Sequence, residues 1–144
     1  MILIDRVAAT QKTIDEFLHV KFQWGSADCG QLAGRHVEAL GLRSRLAEAP
    51  NYKTELGARR ALSALSVSSM EELVDSHGFE RIAPAAALVG DLVGFPGGTE
   101  DRPWTALGIH CGGDRILGFA DVDGAGASLE YGPTSVCTIA WRVI

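Results

Sequence analysis

The signals that punctuate this chain change kind halfway along, and that change constrains its fold more than any single motif. Up to Gly78 the breaks are helix signals. Thr54 precedes a segment with Leu56, Ala61, Leu62 and Leu65, Ser69 is followed by Glu72 in a capping-box pattern, and glycine stands where helices should stop, at Gly41 and Gly78. From Gly90 onward they are turn signals around short apolar runs. Gly90-Asp91 opens Leu92-Val93-Gly94-Phe95, Pro96-Gly97-Gly98 closes it, and Gly112-Gly113-Asp114 separates residues 105–111 from 115–120 as a hairpin turn would. Residues 138–144 read as a last strand. A helical half followed by an antiparallel half is an α+β layout, in which the helices pack on one small sheet.

Within the helical half, residues 5–19 carry Val7, Ile14, Phe17 and Leu18 near helical spacing, with Thr10 or Thr13 as possible caps of one or two segments. The next helix is better defined. Cys29, Ala33, Val37 and Leu40 share one side, Asp28 or Ser26 can cap it, and Gly41 ends it.

With 144 residues, 47% of them hydrophobic, and no repeat, linker or charge block, residues 1–144 are expected to form one domain. The net charge of -5 speaks against a nucleic-acid or anionic-membrane binder, because both need a basic face. Met1-Ile2-Leu3-Ile4 is halted by Asp5 and Arg6, too soon for a signal peptide or a membrane span, so synthesis in the cytoplasm is expected. Three cysteines, Cys29, Cys111 and Cys137, are odd in number and widely spaced, and suggest free thiols.

Cys29 is the candidate nucleophile. It stands at the start of its helix behind Trp24-Gly25-Ser26-Ala27-Asp28, where helix amides favour the thiolate and a helix tip can meet solvent. A small buried hydrophobe is the alternative for the same residue. Four imidazoles could serve as its base. His36 lies roughly 10 Å further along the same helix, while His19 and His77 look like helix-terminating residues. His110, inside a strand of the sheet half, is the preferred base, and Asp28 is read as a cap rather than a catalytic acid.

Metal and cofactor sites are not expected. His110 and Cys111 could join Cys137 around an ion, yet adjacent strand residues point to opposite faces. Asp121-Val122-Asp123-Gly124-Ala125-Gly126 imitates a calcium loop but offers Ala125 and Gly132 where oxygen ligands belong, so it is read as a flexible loop.

Phe22-Gln23-Trp24-Gly25-Ser26-Ala27-Asp28-Cys29, then Val89-Gly90-Asp91-Leu92-Val93, then Leu107-Gly108-Ile109 before a glycine hairpin, resembles the NlpC-type peptidases, papain-like cysteine enzymes that cleave peptide stems of peptidoglycan. The whole chain is similar to a small family of phage and prophage tail-gene products related to them. Asn51-Tyr52-Lys53-Thr54 and the terminal Ala140-Trp141-Arg142-Val143 complete that pattern. The resemblance implies a papain-like fold with Cys29 as nucleophile. It places the catalytic histidine directly before Leu107, where this chain has Ala106, and the third polar residue within 116–120, where no suitable side chain stands. His110 shares strand parity with Ala106 but lies roughly 13 Å further on. The implied role is a tail-tip structural or assembly component with a degenerate site, working with other tail proteins. The alternative is an active peptidase on peptidoglycan peptides.

Overall fold

A computed structural model describes residues 2–122, 124 and 126–144. Four α-helices precede the whole of the sheet: α1 (Leu3–Phe17), α2 (Cys29–Ala39), α3 (Glu55–Ala64) and α4 (Met70–Asp75). Six strands follow: β1 (Glu80–Ile82), β2 (Leu92–Gly98), β3 (Pro103–Gly112), β4 (Arg115–Ala120), β5 (Ser128–Pro133) and β6 (Ile139–Arg142). They form one antiparallel sheet in the order β1-β6-β2-β3-β4-β5. The α+β layout is therefore the one that the change of punctuation implies.

Local chemistry sets the helix starts. Asp28, Thr54 and Ser69 each accept a hydrogen bond from the amide three residues on, Gln31, Gly57 and Glu72 respectively. The Glu72 carboxylate reaches back to the Ser68 amide, one residue beyond the cap amide that a standard capping box would use. α1 differs from expectation. It is one continuous helix that starts at Leu3, and Thr10 and Thr13 cap nothing; they are buried, with hydroxyls that bond the Arg6 and Ala9 carbonyls one turn back.

The sheet buries both faces. Leu92, Leu107, Ile109, Leu117 and Trp141 face the helices and join Leu32, Val37, Phe17 and Val74 in the main core. Val93, Ile116 and Ala140 face the other way, beneath Phe95, Ile82 and Cys137. Phe95 lies flat across the glycines of β3 and β4, since a Cβ on Gly118 would come within 2.6 Å of its ring.

Three strand expectations change. Pro96-Gly97-Gly98 does not end β2 but continues it, paired with 103–105 of β3. β1 and β5 are edge strands without the apolar alternation that marks a strand in sequence. The β3–β4 ladder runs from Ile109↔Leu117 to Gly112↔Arg115 with a register shift after His110, while residues 103–109 of β3 pair with β2 along the other edge. Asp123 and Ala125, inside the loop read as flexible, lie outside the described residues.

The chain termini are tied to the middle of the sheet through Asp91, which is fully buried. Its carboxylate accepts from Arg6, Arg142, and the Val143 and Leu88 amides. Arg6 also donates to the Val89 and Val143 carbonyls. Trp141 sends its indole N–H to Asp75 on α4 at 2.9 Å. The Gly-Asp and Ala-Trp-Arg-Val segments are thus two halves of one buried junction.

Candidate functional site

Cys29 is the first residue of α2, and its turn is built to hold it there. Asp28 caps the helix through Gln31 N at 2.8 Å, takes the Gly25 amide at 2.8 Å, and accepts the Tyr52 hydroxyl at 2.6 Å. All of these bonds serve position, which makes Asp28 the cap that the sequence suggested. Gly25 has φ +87°, and a Cβ there would meet the Tyr52 carbonyl oxygen at 1.9 Å, so glycine is required both by backbone and by space. Tyr52, half-buried against the Asp28 carboxylate, is held protonated, its hydroxyl shifted up by desolvation and the neighbouring charge.

The thiol does not meet solvent. Cys29 is 7% exposed, and burial pushes its pKa up to about 11, against the pull of the Leu107 backbone, the Trp104 indole and its own amide. Asp28 adds to the rise. A position at a helix tip was expected to favour the thiolate, but desolvation of a buried anion outweighs a half-charge dipole. The sulfur is a thiol at neutral pH.

Trp104 is the residue that sequence reasoning missed. It packs edge-on against Trp24, with ring centroids 6.4 Å apart, and lies beneath the Arg59 guanidinium at 4.7 Å. Its Nε1–H, the indole's one donor, is buried and makes no hydrogen bond of normal geometry, but it lies close enough to the Cys29 sulfur to favour negative charge there. No periodicity marks Trp104, since it opens a strand next to a proline. Cys29 and Trp104 line an apolar cleft of about 70 Å³ between α2, α3, α4 and β3, with Tyr52, Met70 and Leu107 among its walls.

The structure does not bring a base to Cys29. His110 lies on the opposite face of the sheet, 1% exposed, where Nδ1 accepts the Gly112 amide at 3.1 Å and Nε2 therefore donates to Thr134 Oγ1 at 3.2 Å. Its strand parity with Ala106 is as expected, and the bulge after it does not turn it back. Burial lowers its pKa. His36 is fully buried between Thr13 Oγ1, 2.9 Å away, and the Gly90 carbonyl, 2.8 Å away, with a pKa lowered to about 4 by desolvation. His77 lines the same cleft as Cys29 but stacks on Phe79, and its two nitrogens bond the Arg45 amide and the Leu73 carbonyl. His19 is exposed beyond the end of α1.

Ala106 pairs with Phe95 and shares the face away from the helices. Ile116, Leu117 and Phe119 of β4 are buried apolar residues. The positions that the resemblance assigns to a base and a third polar group are thus occupied by packing. Among the described residues no cluster of three or more potential metal ligands occurs, and no helix is long and apolar enough to cross a membrane.

Residues 3–143 match the family described as a domain of unknown function, DUF6950, and the chain belongs to that family. No curated protein matches it. Among solved structures it is similar to a Staphylococcus aureus protein described as similar to lipoprotein, NLP/P60 family, with a TM-score of 0.61 at 17% identity. The match covers 97% of this chain and 42% of that one, so the chain spans less than half of that protein's length. At that identity the likeness shows an NLP/P60-like fold.

Proposed function

We propose that this DUF6950 member is a phage or prophage tail-tip component that keeps an NlpC-like scaffold for assembly and has lost the chemistry. One observation carries the noncatalytic part: the Cys29 thiol is buried, its pKa is raised to about 11, and no imidazole is among the groups that act on it. A cysteine nucleophile needs a base within hydrogen-bond reach. The four histidines are spent elsewhere, in a buried junction, a hairpin turn, a helix end and solvent. The tail assignment is supported by the order of short motifs along the whole chain, and two of these motifs form the Asp91 junction that holds the scaffold.

A second reading, an active peptidase on peptidoglycan stems, is favoured by the donors around the sulfur. The Leu107 backbone, the Cys29 amide and the Trp104 indole all act to stabilise negative charge there. In that mechanism the thiolate would attack an amide carbonyl and a histidine would protonate the leaving amine.

Alkylation separates the two readings. A pKa near 11 against an ordinary thiol near 9 reduces the thiolate about a hundredfold at neutral pH, so Cys29 should react with iodoacetamide at least that much more slowly than a free thiol. Burial pushes the Cys111 and Cys137 thiols up to about 11 as well, so peptide mapping should find them modified ahead of Cys29 through their partial exposure alone. Purified cell wall should release no peptide fragments, and particles carrying Cys29→Ser should assemble and infect normally. Rapid labelling of Cys29 together with Cys29-dependent fragment release would establish the peptidase instead.

A further inference from the structure

We infer that Trp104 is a gate between the Cys29 cleft and the surface, latched from outside by Arg59. Every residue that lines the cleft is buried or half-buried. Beside it runs a larger, open groove of about 320 Å³, with Arg59, Glu71, Pro96 and Pro103 in its walls. The cleft and the groove share Met70 and Trp104, so these two side chains form the wall between them.

Of the two, Met70 is fixed. It opens α4 and packs into the main core, 5% exposed. Trp104 is held less firmly. It is half-buried near the start of β3, and the residue directly across the ladder is Gly97, which offers no side chain to pack against the indole.

Two contacts hold the ring shut, the edge of Trp24 and the Arg59 guanidinium over its face. Against them stands one unmet group. Among the described residues, Trp104 Nε1 is the buried side-chain nitrogen or oxygen that lacks a hydrogen-bond partner. The cost of one buried unsatisfied donor is comparable to an aromatic edge contact and a half-exposed cation–π contact taken together. Swinging the indole toward the groove gives Nε1 water, keeps part of the ring covered by Pro96 and Pro103, and uncovers the cleft. The closed and open positions therefore lie close in free energy.

Arg59 tips that balance. It lines the groove and not the cleft, so its influence on Cys29 passes through the ring. Glu55 holds Arg59 at 3.5 Å and also holds Arg102, next to Pro103 in the β2–β3 turn, at 3.3 Å. α3 and the turn are thus tied across the ring by ion pairs that are partly in water, where such pairs form and break readily. The gate controls access and supplies no base, so it stands whether or not Cys29 is catalytic. Release of wall fragments tests that reading and leaves this one untouched.

The test is the rate at which iodoacetamide alkylates Cys29 in the full chain, read by peptide mapping. Trp104→Ala should raise it roughly tenfold or more, out of the about hundredfold that burial withholds. Arg59→Ala should raise it about two- to fivefold, the worth of one exposed cation–π contact. Arg60→Ala, which removes the exposed arginine next in the chain, should leave the rate unchanged, and both arginine variants should keep the wild-type circular dichroism spectrum. Because Trp104→Ala also removes packing, the wild type supplies a second readout. Its Trp104 indole N–H, identified by NMR as the resonance missing from Trp104→Phe, should show microsecond-to-millisecond exchange, whereas the Trp141 indole, bonded to Asp75, should not. A wild-type labelling rate in Arg59→Ala, or a Trp104 indole as free of exchange as that of Trp141, would overturn the gate.

Discussion

α2 carries a polar centre at its tip and another at its middle, and the two differ in what surrounds them. At the middle, His36 bonds Thr13 and Gly90, and the adjacent Asp91 takes two arginines and two amides. At the tip, the carboxylate of Asp28 is saturated by Gly25, Gln31 and Tyr52, yet the Cys29 thiol beside it has no imidazole and the Trp104 Nε1 has no partner. A buried polar network that satisfies itself serves the fold, because each unmet group in it would cost desolvation without return. An arrangement that leaves a thiol without a base and an indole without an acceptor is what the proposed loss of chemistry would leave behind. Polar density alone separates neither case.

The contrast breaks most sharply at Asp91. Asp91→Ala leaves Arg6 buried without its counter-charge, so unfolding in urea should show a loss of roughly 3–5 kcal/mol. A loss below about 1 kcal/mol would mean that the junction is not what holds the termini.

His36 sharpens the same side through pH. Its folded pKa, about 4, lies below the ordinary 6.5, so the folded state resists a proton that the unfolded state accepts. Its stabilisation is complete above pH 6.5 and is lost as pH falls toward 4, by about 3 kcal/mol in all. Burial shifts His110 in the same direction. In His36→Gln, which keeps a donor for the Gly90 carbonyl, the unfolding free energy between pH 6.5 and 4 should vary much less. An unchanged slope would assign the acid sensitivity to other groups.

The smallest effect belongs to the tip. Tyr52→Phe removes one hydrogen bond to Asp28, whose carboxylate keeps two others, and should cost about 1 kcal/mol in the same unfolding assay. The variant should leave Cys29 as slow to alkylate as before. Faster labelling would show that Tyr52, rather than burial beneath Trp104, keeps the thiol closed.

What could be read in the sequence was local. Asp28, Thr54 and Ser69 were legible as caps because the amide each one meets is three residues away. The β3–β4 hairpin was legible because glycine turn and flanking strands are contiguous. β5 was not, since Gly132-Pro133 reads as a turn and an edge strand needs little apolar alternation. Arg6 was legible only as a charge that, with Asp5, halts the first apolar run, and its partner Asp91 is 85 residues on. Trp104 carried no signal at all. Its meaning depends on which face of β3 meets the tip of α2.

The sequence by itself determined the α+β layout, the seat of Cys29 at the head of a capped helix, and the absence of a histidine before Leu107. Those follow from caps, turns and residue identity, whose physics acts over a few residues. Only the tertiary structure decided that the thiol is buried and protonated, that His110 faces away from it, and that His36 and Asp91 belong to the scaffold. Burial and ion pairing are set by residues distant along the chain, and no local spacing encodes which face of a sheet a side chain will share with a helix tip.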